Sequence, residues 1–195
     1  FGLAGLPAIF LSCLIKRMVA TAPVFRPALF LDRDGVVNVD KNYLYRIADF
    51  EWMDGVQGLM RHAQQLGYAV VVVTNQSGIG RGYYSEQDFQ TLSVWMRQTL
   101  AAQGIQVAAV YHCPHAPDQD CVCRKPRAGM LLQAAAELGL DLAKSVMIGD
   151  KESDVEAGLA AGLHRLVRFA PVGTASAAPL VSQDFVKIGC WLDEF

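Results

Sequence analysis

Charge of either sign is scarce in this 195-residue chain, which has 17 Lys and Arg, 19 Asp and Glu and a formal net charge of −2. With no basic excess there is no long-range field to draw a polyanion, so the composition argues against nucleic acid or an anionic membrane surface as a partner. Any cationic site must therefore be local. Cysteine is also sparse, and its five copies (Cys13, Cys113, Cys121, Cys123 and Cys190) are not spread as a disulfide framework would be. Three of them fall within eleven residues, which fits a metal site in a reducing cytoplasm. No internal repeat is present, which excludes a solenoid, and no long heptad run demands a second copy, so a monomer is the default expectation.

Long apolar runs are nearly absent too. The one exception, Phe1 to Ile15, is too short to span a bilayer comfortably, and its charges, Lys16 and Arg17, follow it instead of preceding it as in a secretory signal. Met18 stands shortly before the first strand pattern. Residues 1–17 are therefore expected to precede the natural start or to have been added to it, residues 1–26 to form an N-terminal extension, and residues 27–195 to form a single domain. At 52% hydrophobic residues the chain can bury a sizeable core.

Past Met18 the pattern alternates between strand and helix. Continuous apolar runs at Ala28–Leu31, Tyr68–Val73, Val107–Tyr111, Ser145–Ile148 and His164–Val167 read as strands buried on both faces. Helical spacing appears at Gly55–Leu66, Gly129–Leu138 and Glu152–Ala161, and Ser85 to Asp88 resembles a capping box that opens a helix to about Ala102. Ala170–Ala178 reads as a surface loop before a last strand near Phe185–Ile188. The expected fold is α/β, a doubly wound parallel sheet between two helical layers.

Against this background one stretch is chemically unusual. The strand ending at Leu31 leads into Asp32-Arg33-Asp34-Gly35, and residues i and i+2 of an extended chain point to one side. Two carboxylates so close repel each other unless a divalent cation, a shared proton or catalytic use relieves the repulsion. Taken alone, the pair could equally be solvated turn aspartates. Thr74 and Asn75 end the second strand, however, and Asp150 follows the strand Val146–Ile148, so three strands deliver polar groups to the edge where ligands gather in such sheets. A second signal is Cys113-Pro114-His115, five residues, then Cys121-Val122-Cys123. Three thiols and an imidazole at this spacing fit a tetrahedral Zn²⁺ site with no open position, hence a structural one that steadies the segment carrying Arg124 and Lys125; a redox pair or buried free thiols are the alternatives.

In order along the chain, Asp32-Arg33-Asp34-Gly35, Thr74, Lys125 before Pro126, and Gly149-Asp150 with Asp154 resemble the four motifs of the haloacid dehalogenase (HAD) superfamily phosphatases, over roughly residues 27–170. The resemblance implies that Asp32 is the nucleophile, that Asp34 is the acid/base with its backbone carbonyl on Mg²⁺, and that Asp32, Asp34 and Asp150 hold that ion. It also implies that Thr74 and Lys125 grip the phosphoryl oxygens. Only about forty residues separate Asp34 from Thr74, which leaves no room for a large cap domain, so short loops must select the substrate. Here Thr74-Asn75-Gln76-Ser77-Gly78-Ile79, Gly80-Arg81-Gly82, the zinc loop 113–123 and Gly149-Asp150-Lys151 resemble the branch that dephosphorylates heptose bisphosphates for lipopolysaccharide synthesis. Mapped onto it, Asp40, Lys41, Asn42, Tyr43, Asn75, Gln76, Ser77, Arg124 and Lys151 occupy substrate-binding positions, with Arg124 and Lys151 suited to a second phosphate. The zinc loop is shorter than some relatives carry, and Val36 stands where many have Thr. The alternatives are the histidinol-phosphatase branch and, from another class, a non-catalytic zinc-stabilised binding module.

Overall fold

The computed structural model describes residues 25–195. The apolar run at the N-terminus and nearly all of the expected extension lie outside the described residues.

Six parallel strands, β1 (Ala28–Leu31), β2 (Ala69–Asn75), β3 (Val107–Cys113), β4 (Val146–Gly149), β5 (Arg165–Arg168) and β6 (Leu180–Val181), form one sheet in the order β3-β2-β1-β4-β5-β6. The order reverses at β1, which pairs with β2 on one side (Phe30 with Val71) and β4 on the other (Phe30 with Met147). This switch point opens a crevice at the carboxyl ends of the strands.

Alternation along β1 divides the interior into two layers. Leu29 and Leu31 point to one face, where they meet α1 (Val56–Gln65), α3 (Glu86–Ala101) and α6 (Phe185–Leu192) through Leu59, Met60, Met96, Phe185 and Ile188. Ala28 and Phe30 point to the other, against α4 (Gly129–Leu138) and α5 (Glu152–Ala160) through Met130, Leu131, Ala134 and Val155. The result is a three-layer α/β/α sandwich. In α1 the buried residues Val56, Leu59, Met60 and Ala63 follow the i, i+3, i+4, i+7 stripe that identified the helix in the sequence. At α3 the capping box is formed, with Ser85 Oγ accepting from the Asp88 N–H and the Asp88 carboxylate accepting from the Ser85 N–H.

The expected last strand near Phe185–Ile188 is instead the start of helix α6. Asp184 caps it, its carboxylate accepting from the N–H groups of Val186 and Lys187, and Phe185, Ile188, Gly189 and Leu192 are buried at helical spacing. The last strand is the short β6, before it. A four-residue helix α2 (Ser77–Gly80), which the sequence pattern does not announce, follows β2 directly. Among the described residues no cap domain interrupts the sheet; between β1 and α1 the chain makes only a short flap, where Val39 N–H donates to the Glu51 carbonyl and Asn38 bridges Trp52. No described helix is long and apolar enough to cross a membrane.

Candidate active site

Asp32 leaves β1 at the switch point, its N–H still donating to the Ile148 carbonyl of β4 at 3.0 Å. Its Oδ1 accepts from the Arg33 N–H at 2.8 Å and pairs with Lys125 Nζ at 2.9 Å. Lys125 comes from the loop between β3 and α4 and is only 3% exposed, so its charge must be answered from within. It pairs with Asp154 Oδ1 at 2.5 Å and donates to the Val73 carbonyl at 2.8 Å. Although burial opposes its charge, the Asp154 and Asp32 carboxylates hold Lys125 above the ordinary lysine range. Burial pushes Asp32 the unfavourable way, up to about 7; Lys125 pulls against this, while Asp154, Asp150 and Asp34 push further.

Asp34 is engaged on its outer side. Its oxygens accept from Arg33 Nε (3.2 Å) and Nη2 (2.9 Å to each oxygen), Asn38 Nδ2 (3.0 Å) and Gln76 Nε2 (2.9 Å). Arg33, itself buried, also donates to the Leu44 carbonyl and so ties this carboxylate to the loop after the first motif.

The donor chemistry can be tested against a cation. Carboxylate oxygens of Asp32, Asp150 and Asp154 lie within 4.8 Å of one another. Asp150 Oδ1 is buried without a hydrogen-bond partner among the described residues. Gly35, at a left-handed φ of 87°, lets the backbone close onto Asp150: a Cβ there would lie 2.6 Å from Asp150 Oδ2. Oxygen-only donors with more negative charge than their neighbours balance fit a hard divalent cation such as Mg²⁺. Asp154 is spoken for by Lys125, and the side chain of Asp34 stands outside this cluster.

A second cluster follows β3. Cys113, His115, Cys121 and Cys123 present one donor each within 4.8 Å, with Cys113 Sγ 3.6 Å from Cys121 Sγ and 3.5 Å from His115 Nδ1, and Cys123 Sγ 3.3 Å from the same nitrogen. Tetrahedral Zn–S bonds of about 2.3 Å place sulfurs roughly 3.8 Å apart, so this geometry fits zinc. Burial raises the Cys113 thiol to about 12, and a bound cation would supply the charge that makes it a thiolate.

A cavity of about 370 Å³ opens over the first cluster. Asp32, Asp34, Asp40, Asn42, Tyr43, Thr74, Asn75, Gln76, Ser77, Arg124, Lys125 and Lys151 all border it. Lys41 does not; it pairs with Glu51 at 3.0 Å outside. Asn42 and Tyr43 take left-handed φ values of 53° and 55°, and the Asn42 N–H donates to Asp40 Oδ1. That conformation is uncommon for a tyrosine and marks a rim loop of defined shape. Asn75 spends its amide on the backbone of Lys125, accepting from its N–H and donating to its carbonyl, both at 3.1 Å. Gln76 is 2% exposed and bonded to Thr74 and Asp34. The sequence reading assigned no role to four residues found here: Arg33, Tyr84, Ser153 and Asp154. Arg33 and Asp154 stand inside motifs and were findable as charged residues next to buried acids; nothing local distinguishes Tyr84 or Ser153.

A family model described as HAD-hydrolase-like matches residues 122–168, the stretch from the cysteine-rich loop through β5. D-glycero-beta-D-manno-heptose-1,7-bisphosphate 7-phosphatase of Yersinia pestis is 49% identical over 144 residues, covering 70% of this chain and 77% of that protein. The D-glycero-alpha-D-manno-heptose-1,7-bisphosphate 7-phosphatase of Campylobacter jejuni is 51% identical, covering 72% and 80%. Among solved structures, D,D-heptose 1,7-bisphosphate phosphatase from B. bronchiseptica, complexed with magnesium and phosphate, superposes with a TM-score of 0.75 at 32% identity, covering 86% of this chain and 98% of that one. On identities this high over more than two thirds of the relatives' length, the chain belongs to the heptose-1,7-bisphosphate 7-phosphatase family of HAD-like hydrolases.

Proposed function

We propose that this protein is a Mg²⁺-dependent phosphatase that removes the 7-phosphate of D-glycero-D-manno-heptose 1,7-bisphosphate, in the supply of heptose for lipopolysaccharide. The observation that carries the chemistry is the asymmetric tethering of Asp32. Lys125 and the Arg33 N–H hold Oδ1, while Oδ2 has no hydrogen-bond partner among the described residues, on a residue that borders the cavity.

In this reading Asp32 Oδ2 attacks phosphorus, and the sugar oxygen departs with a proton from Asp34, leaving an aspartyl-phosphate. Asp34 then takes a proton from water, which attacks the same phosphorus; the P–O bond to Asp32 breaks, inorganic phosphate leaves and the carboxylate is restored. Thr74 and Lys125 hold the phosphoryl oxygens. Asp32, Asp150 and the backbone carbonyl of Asp34 would hold Mg²⁺, which when bound neutralises phosphoryl charge. The magnesium and phosphate of the B. bronchiseptica complex support this metal. Cys113, His115, Cys121 and Cys123 would hold a structural Zn²⁺, four protein donors leaving no position for substrate.

The family membership supports the substrate, and Arg124 and Lys151 at the cavity rim supply cationic partners for a second phosphate. Asp40, Asn42, Tyr43, Asn75, Gln76 and Ser77 shape the sugar pocket. Relatives named for the β and the α anomer stand at 49% and 51% identity, so both anomers belong in the assay. The test is Mg²⁺-dependent phosphate release from each anomer of heptose 1,7-bisphosphate beside histidinol phosphate and fructose 1,6-bisphosphate. One heptose anomer should be preferred by at least about tenfold in kcat/KM. A preference for histidinol phosphate withdraws the substrate, and phosphate release from none of the four withdraws the enzyme in favour of a binding module.

A further inference from the structure

The geometry points to Tyr84 as a positioning residue for Asp34, acting through Gln76; this rests on the phosphatase reading above. Gln76 is buried between the two groups it serves, and its Nε2 donates to Thr74 Oγ1 at 2.8 Å and to Asp34 Oδ2 at 2.9 Å. While ionised, a carboxylate can only accept, so the amide presents nitrogen to Asp34 and oxygen to the opposite side. On that side Tyr84 Oη donates to Gln76 Oε1 at 2.5 Å. Burial pushes the Tyr84 hydroxyl up to about 12, so it stays a donor throughout the working range.

The hydroxyl is itself held in place. Tyr45 stacks on the Tyr84 ring, with centroids 5.3 Å apart and planes 11° from parallel. The ring lies so close over Gly78 that a Cβ there would approach its Cζ to 2.8 Å. Both neighbours are fixed by the local fold, Gly78 by the short helix α2 and Tyr84 by its place just before the cap of α3.

Without the hydroxyl, Gln76 Oε1 is a buried acceptor lacking its donor, and the amide loses the bond that forbids its flip. A flipped or displaced amide turns oxygen toward Asp34 or leaves it. Asp32 and Lys125 make no hydrogen bond to Tyr84 or Gln76, so nucleophilic attack and the grip of Lys125 are untouched, and Thr74, which shares the Gln76 amide, is disturbed alike for every substrate. The deficit falls on the two proton transfers of Asp34, to the leaving oxygen and from the attacking water; the second is common to every substrate, and only the first depends on how much the leaving oxygen needs a proton.

The experiment compares wild type with Tyr84→Phe on heptose 1,7-bisphosphate, whose alkoxide must be protonated, and on p-nitrophenyl phosphate, whose phenolate leaves without a proton. For the sugar substrate kcat/KM, which covers the steps up to departure of the leaving oxygen and not the later attack of water, should fall about tenfold, and for the aryl substrate kcat/KM should fall less than about twofold. If the wild type turns over the aryl ester too slowly to compare, the solvent deuterium isotope effect on kcat/KM for the sugar substrate replaces it and should rise in the variant. Equal losses on both substrates, no loss on either, a gain on the sugar substrate, or an unchanged isotope effect overturns the proposal. A thermal melt within a few degrees of wild type accompanies the expected result; a collapsed melt with parallel losses overturns it as a merely structural effect. Wild-type protein inactive on both substrates would instead fell the phosphatase reading, and this role with it.

Discussion

Asp32, Asp150 and Asp154 reach one point from segments far apart in the chain, whereas Cys113, His115, Cys121 and Cys123 meet at the end of β3 and in the single loop that follows it. The carboxylate cluster exists only because β1 and β4 are neighbours in the sheet, and it is held at an electrostatic cost, with burial raising Asp32 to about 7 and one buried lysine answering two acids. The thiol and imidazole cluster closes locally, and a metal would supply the charge it lacks. An open, charge-strained cluster suits chemistry on a bound anion, and a closed local one suits fastening. The two are linked in one direction. Lys125 lies just beyond Cys123, and Asn75 clasps its backbone to the end of β2, so disturbance of the loop reaches the carboxylates.

The sharpest break in this comparison comes at the open cluster. Asp32→Asn should reduce turnover on the order of 10⁴-fold or more while the melting temperature of the zinc-loaded protein moves by only a few degrees. Substantial Mg²⁺-dependent activity in that variant would remove Asp32 as nucleophile. At the closed cluster the order of effects should reverse. Cys121→Ser, or zinc removal by a chelator, should lower Tm by on the order of 10 °C, with activity lost as a consequence. A metal-free protein that melts and works like the original would show the cluster to be dispensable.

Between the clusters stands Arg124, next to Cys123 in the chain but facing the cavity. Arg124→Ala should raise KM for the bisphosphate about tenfold more than KM for a heptose monophosphate, the scale of one charge-assisted phosphate contact. Equal increases for the two would refute a second-phosphate role. Outside both clusters, Asp184→Ala should cost about 1 kcal/mol in urea denaturation by uncapping α6 and leave kcat/KM unaltered. A change in activity there would mean that the clusters are less insulated from the helical layer than the contacts imply.

Much of this organisation was legible in advance where the signal is local. The strand runs stand out because parallel strands buried on both faces are apolar throughout, and the capping box at Ser85 and Asp88 declares a helix start in four residues. The segment Phe185–Ile188 misled for the same reason, since a short run of apolar and β-branched residues satisfies strand and helix templates alike. What separated them was the cap at Asp184 together with burial that continues at Gly189 and Leu192, beyond the run itself.

Donor chemistry was written into the chain by residue type and order: paired aspartates at a strand end, three thiols and an imidazole in one loop, a lysine just after them, all on an alternating α/β pattern. Tertiary structure alone decided which of those groups remain available. Lys41 turns away to Glu51, Asn75 is consumed by the Lys125 backbone, Asp154 is committed to the Lys125 ammonium, and Tyr84 reaches the site through Gln76. The physical reason is that residue type sets what a group can donate or accept, while its partner is set by packing between segments distant in sequence, which no local pattern encodes.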